Sequence, residues 1–199
     1  MPIPEYTLKA YEKTRIDHVI DTFAAKKSPT IADLNAVRVQ ADIQCQLDTF
    51  RLKALKMSAK ELEVEAHCSV RLAQNMAAAN DPRPASGEYC HCHAMVSGAH
   101  AESATVRAVL AWCFMRIDDP RNGCWLPRNL KARMHMPEWL KNAVPHSRIH
   151  RKSYYRWLGD VINPMLIKGT DDLVRTLKMV RLRLQSGCIP KHIVTEMGL

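Results

Sequence analysis

Apolar residues in the first part of the chain recur with the period of a helix. Ile16, Val19, Ile20 and Phe23 stand at i, i+3, i+4 and i+7, and the stretch ends in Lys26-Lys27-Ser28-Pro29, basic residues before a proline stop. Thr30, followed by Asp33, predicts the start of a second helix, and Ser58-Ala59-Lys60-Glu61 the start of a third. Residues 5–79 therefore read as three helices. The run from Asn80 to Gly87 holds two prolines and no apolar periodicity, which marks residues 81–87 as a linker. Beyond it the texture changes. Glu88 to Val96 is short and alternates loosely, as a strand does, and a helix is expected from about Ala101 to Met115. Asp118 to Gly123 is a turn cluster, and Cys124-Trp125-Leu126-Pro127 a brief strand stopped by proline. Pro145 opens a helix that runs to Leu158, and a last helix covers about Asp171 to Leu184 with Leu173, Leu177, Val180 and Leu184 on one face. The pattern predicts a mostly helical α+β chain: a helical N-terminal segment over residues 1–80, a linker, and a domain over 88–199.

Charge sharpens this division. The chain of 199 residues has a formal net charge of +9, and residues 1–80 hold 11 basic against 10 acidic side chains, so +8 belongs to residues 81–199. Such a field collects polyanions. The 7 cysteines are odd in number and scattered, which argues against a disulfide-stapled secreted domain and for a reducing compartment. The longest apolar run, Ala108 to Met115, falls far short of the roughly 18 residues that span a bilayer. The opening residues lack the basic start and apolar stretch of a signal peptide, so no membrane insertion is expected, and any export takes a route without a cleaved signal.

Candidate chemistry gathers in the second part. His146 and His150 are four apart on an expected helix, where both imidazoles share a face and can bind one metal ion. His91-Cys92-His93 lies on the first strand. Strand with histidine, turn with asparagine, second strand, helix with two histidines is the topology of a ββα-metal finger. In such a site an ion held by imidazoles acts as Lewis acid on a phosphate oxygen. A strand histidine off the metal takes a proton from water, and an asparagine amide fixes that imidazole's orientation. His18 and His67 read as ordinary helix-face residues, and His100 and His135 have no clear role.

The segment from His91 to Leu158 resembles the AHH-type nucleases, a branch of the HNH/ββα-metal superfamily found as toxin domains of bacterial polymorphic toxins and secretion effectors. The resemblance rests on His91-Cys92-His93, Asn122-Gly123-Cys124-Trp125-Leu126-Pro127, His146-Ser147-Arg148-Ile149-His150 and Tyr154-Tyr155. It implies His93 and Asn122 as catalytic residues and Cys92, His146 and His150 as ligands of one divalent ion, with zinc, magnesium, manganese and nickel all open. The chain departs from the family in having Cys92 where the first histidine stands, so Cys92 and His91 both remain candidates for that ligand. Arg148, Arg151, Lys152 and Tyr154 are expected to meet the substrate. The function implied is a DNA-cleaving toxin, cytoplasmic in its producer and delivered to a target cell, with a cognate immunity protein and a secretion carrier as partners. Two other readings stand beside it. One is a non-catalytic zinc-stabilised module in which Cys90, Cys92, His146 and His150 close a structural site over a nucleic-acid-binding face. The other is a helical adaptor with an inert C-terminal part.

Overall fold

A computed structural model describes residues 13–98 and 100–194. Residues 5–12 of the first expected helix lie outside the described residues. Helix α1 spans Arg15–Ala24 and α2 spans Ile31–Ala54, each opened by a reciprocal cap, Thr14 with Asp17 and Thr30 with Asp33. Ser58 and Glu61 form the same box at the head of α3, Ala59–Glu63.

The third expected helix does not continue to residue 79. It stops at Glu63, and a separate helix α4 begins at Ser69 and ends at Ala78. Tertiary bonds hold the intervening loop away from helical geometry. The Glu65 carboxylate accepts from Arg116 Nε at 2.9 Å and from the Ile117 amide at 3.2 Å, while the Cys68 amide donates to Asp118 at 3.0 Å. His67 thus lies in this loop and not on a helix face.

Strands β1 (Cys90–Ala94) and β2 (Gly123–Pro127) form a two-stranded antiparallel sheet with His93 opposite Cys124 and His91 opposite Leu126. Between them runs α5, Ala104–Trp112, entered through a short 3-10 turn at Ala101–Ser103. Helices α6 (Lys152–Val161) and α7 (Thr170–Ser186) complete the chain. Helices dominate and the sheet is small, so the fold is mostly helical α+β. Among the described residues no helix is long and apolar enough to cross a membrane.

One core joins α4, the sheet, α5, α6 and α7, and a smaller cluster of Ala54, Leu62 and Ala111 ties α2 and α3 to α5. Leu72 and Met76 from α4 meet Cys90, Cys124 and Leu126 of the sheet, with Tyr154 and Leu158 from α6 and Leu177 and Val180 from α7. Gly123 explains how closely α4 lies on β2: a Cβ there would stand 2.9 Å from Met76 Cγ and 3.1 Å from Leu72 Cδ1.

Candidate metal centre and nuclease site

Strand alternation sorts the His-Cys-His segment. His91 and His93 project to one face, where their ring centroids stand 5.2 and 5.1 Å from that of His146. Cys90 and Cys92 project to the other. Cys92 Sγ lies 3.4 Å from Met76 Sδ on α4, and burial pushes its thiol up to about 12 and that of Cys90 up to about 11. In this setting the thiol form is favoured, and Cys92 packs against Met76 of α4. Cys92 lines the same groove as His91 and His146, but among the described residues neither cysteine joins the cluster of ligand atoms that contains His146 and His150, so the four residues of the structural-zinc alternative are not assembled around one point.

The second half of the centre is built differently from expectation. His146 and His150 do not sit on one helix opened by Pro145. His146–Arg148 forms a single 3-10 turn, and α6 begins only at Lys152. The Ser147 amide donates to Arg128 O beyond β2 at 3.2 Å, Ile149 is fully buried, and Arg151 is extended at φ −136°. Anchoring of the turn to the sheet end and to the core therefore breaks the helix. The turn still delivers both imidazoles to one place, with their Nε2 atoms 2.9 Å apart.

His93, His146 and His150 together place one ring nitrogen each within 4.8 Å of one another. His93 is 2% exposed and its Nε2 has no hydrogen-bond partner. A buried polar atom left without a partner is costly unless something else satisfies it. Burial, followed by the neighbouring His146 and His150, holds His93 well below the usual imidazole range. Burial also leads for His146, which is pulled down to about 4 with help from His150, His91 and His67. His150 is lowered by burial and by His100. Neutral imidazoles keep their lone pairs, so three of them, one with a nitrogen lacking any partner, fit a divalent ion. His150 Nδ1 also lies 3.3 Å from the Tyr155 hydroxyl, a contact that orients the ring from behind.

His91 stands beside this triad. Its Nδ1 lies 3.3 Å from His146 Nδ1, and burial with Arg128 and Arg83 lowers its affinity for a proton. It faces a groove of about 540 Å³ whose walls include Ser69, Val70, Gln74, Arg83 and His146.

The asparagine of the turn is occupied elsewhere. Asn122 is fully buried, its Oδ1 accepts from the Val96 amide at 2.9 Å, and its Nδ2 donates to Ile117 O at 2.8 Å and Val96 O at 3.2 Å. Together with Met95 N donating to Asn122 O at 2.8 Å, these bonds clamp the chain as it leaves β1. The amide reaches the centre through the backbone that carries His93, with no bond to the imidazole itself among the described residues. Tyr154 is fully buried behind His93, ring centroids 6.0 Å apart, and its hydroxyl donates to Met95 O at 2.9 Å. Arg148 and Arg151 are half-buried and Lys152 exposed, all within six residues of the His146 turn.

Sequence reasoning brought His91-Cys92-His93 together with His146 and His150 at one centre, but it did not sort which of the three strand side chains face the two histidines. The signal was present in the period of two, which turns His91 and His93 to one side and Cys92 to the other.

No curated protein and no solved structure matches this chain. The family model described as a nuclease family of the HNH/ENDO VII superfamily with conserved AHH matches residues 74–181, from α4 through most of α7. That span takes in both strands, the histidine cluster and most of the core beneath it, and the chain belongs to this family of nucleases.

Proposed function

We propose that the chain is a metal-dependent endonuclease that cleaves DNA, with His93, His146 and His150 holding one divalent ion. The observation that carries this reading is the convergence of three imidazole nitrogens, one of them buried without a partner. An all-imidazole donor set suits zinc or nickel better than magnesium, which prefers oxygen ligands. When bound, the ion supplies Lewis-acid stabilisation to the phosphate.

The residues divide the remaining work. The burial of His93 favours a ligand role over that of proton acceptor, because a base must meet the attacking water. His91 suits that task better: it faces the groove, and Arg83 and Arg128 beside it favour the neutral, accepting form. The same two guanidiniums, with Arg148, Arg151 and Lys152, supply positive charge along the path of a phosphate backbone. Cys92 packs, and the bonding of Asn122 favours a clamp on the β1 exit. Tyr154, buried with its hydroxyl engaged, supports the His93 strand from behind and leaves substrate contact to the basic residues.

The activity is further proposed to serve as an antibacterial toxin, delivered by a secretion carrier from the producer's cytoplasm into the target cell. The excess positive charge of residues 81–199 favours an immunity protein with an acidic contact face. Supercoiled plasmid incubated with the purified chain tests the enzymatic part. Cleavage is expected with a divalent ion and lost with excess chelator; full activity in chelator would overturn it.

A further inference from the structure

The groove beside His91 and His146 adjoins a second one. Helix α4 forms one wall of the first, through Ser69, Ala73, Gln74 and Ala77. The second, of about 680 Å³, is lined by Gln74 and Ala77 as well, together with Arg15 of α1 and Ile43, Gln46 and Leu47 of α2. The two grooves therefore meet along α4, across side chains that both of them share. Helices α1 and α2 lie outside residues 74–181, which the family model matches.

Packing fixes the walls. Leu47 is buried, and Arg15 Nη1 donates to Ala77 O at 3.4 Å in the last turn of α4. That bond uses one of the guanidinium's donors and leaves the rest for the groove that Arg15 lines. In the first groove Arg83 stands over the Trp125 ring, 5.5 Å from its centroid. Charge decides what can lie along this path. Among the described residues no carboxylate lines either groove, while Arg15, Arg83, His91 and His146 do. The exposed amides of Gln46 and Gln74 both donate and accept. A lining of cations and amides without an anion suits a chain of phosphates and sugars. From Ser69 to Ala78 α4 rises about 14 Å, the length of about four steps of one DNA strand at about 3.4 Å each.

We propose that the DNA strand leaving the metal centre continues across Gln74 and Ala77 into the second groove, where Arg15 and Gln46 hold its backbone. Helices α1 and α2 are then a DNA-binding extension of the nuclease, gripping the strand about four nucleotides from the cleaved bond. Arg15 meets a phosphate as a charged donor, and Gln46 and Gln74 bond phosphate or sugar oxygens. None of these contacts reads base sequence, so the extension supplies affinity and register and leaves the chemistry to the histidine cluster. Continuity with the groove of that cluster favours nucleic acid over an acidic protein segment. The choice of DNA as occupant rests on the nuclease reading above.

The test separates binding from hydrolysis in the full chain. Affinity for a duplex of about 30 base pairs is read by fluorescence anisotropy in chelator, across a range of salt. Hydrolysis of bis(p-nitrophenyl) phosphate, too small to reach the second groove from the metal centre, is read with a divalent ion. Arg15→Gln combined with Gln46→Glu is expected to weaken duplex binding by about 10-fold or more and to lower the salt slope by about 1, with ester hydrolysis within about 2-fold of the parent. Arg38→Glu makes the same change in net charge at an exposed position of α2 that lines neither groove, and is expected to alter binding by less than about 2-fold. Duplex binding by the double variant within about 2-fold of the parent, or an equal loss in Arg38→Glu, would overturn the proposal. Unchanged duplex binding with weakened binding of labelled polyglutamate would give the groove to an acidic protein segment and overturn it as well. If Arg15→Gln disturbs α1, Gln46→Glu alone decides, with a loss of at least about 3-fold expected. A parent that hydrolyses neither DNA nor the ester with any divalent ion would overturn the metal-dependent nuclease reading, while the duplex comparison still decides this one.

Discussion

Replacing Asn122 by alanine removes three buried hydrogen bonds at once: from the Val96 amide, to Val96 O and to Ile117 O. A bond whose loss strands a buried donor or acceptor costs about 1–3 kcal/mol, centred on about 2. The Val96 amide and the Ile117 carbonyl are the groups stranded, so Asn122→Ala is expected to cost about 4 kcal/mol. For a chain of this size that lowers the melting temperature by roughly 8–16 °C. Urea unfolding followed by circular dichroism reads the midpoint directly, with the slope unchanged if the denatured state is unaffected. Below the transition, the folded variant should still bind a divalent ion, because the amide bonds to backbone and not to an imidazole. A loss of stability under about 1 kcal/mol, coupled to a loss of cleavage, would refute the clamp and return Asn122 to a direct role at the imidazole.

Other consequences follow from the same geometry. Gly123→Ala drives a Cβ into the Met76 side chain and is expected to cost about 1–3 kcal/mol, read by thermal melting; a neutral result would mean that α4 does not lie on β2 as described. Without metal, stability should fall as pH drops from about 6.5 to about 4, since the unfolded chain protonates His146 near its ordinary 6.5 while the folded chain holds it neutral down to about 4. The unfolded state binds more protons throughout that window, so urea midpoints measured across it should decline, and a flat profile would contradict the burial of the cluster. Alanine at Arg148 or Lys152 is expected to weaken DNA binding at all sequences and reduce the salt slope by about 1 each, measured by fluorescence anisotropy.

Much of this molecule is legible from local pattern. The Thr30 and Ser58 caps, the two short strands and the apolar face of α7 are each specified by residues close in sequence, and the structure has them within a few positions. The failures have a common cause in contacts between distant segments. The loop from Glu65 to Cys68 carries no breaker of its own and is pulled out of helical form by Arg116 to Asp118, some fifty residues away. The His146 turn has a helical sequence and a proline at its head, yet Ile149 in the core and Arg128 at the sheet end hold it as a 3-10 turn. At the centre, the motif order located the segment, while the facing of each side chain depended on strand register.

The claim at the centre of this account is that three histidines, His93 among them, hold the ion and that Cys92 does not. Isothermal titration of divalent zinc into the parent chain and into His93→Ala, His146→Ala, His150→Ala and Cys92→Ala tests it most directly. One ion per chain is expected for the parent and for Cys92→Ala with similar affinity, and a loss of at least about 100-fold for each histidine variant, in proportion to the removal of a ligand. Retention of tight binding by His93→Ala together with its loss in Cys92→Ala would contradict the account.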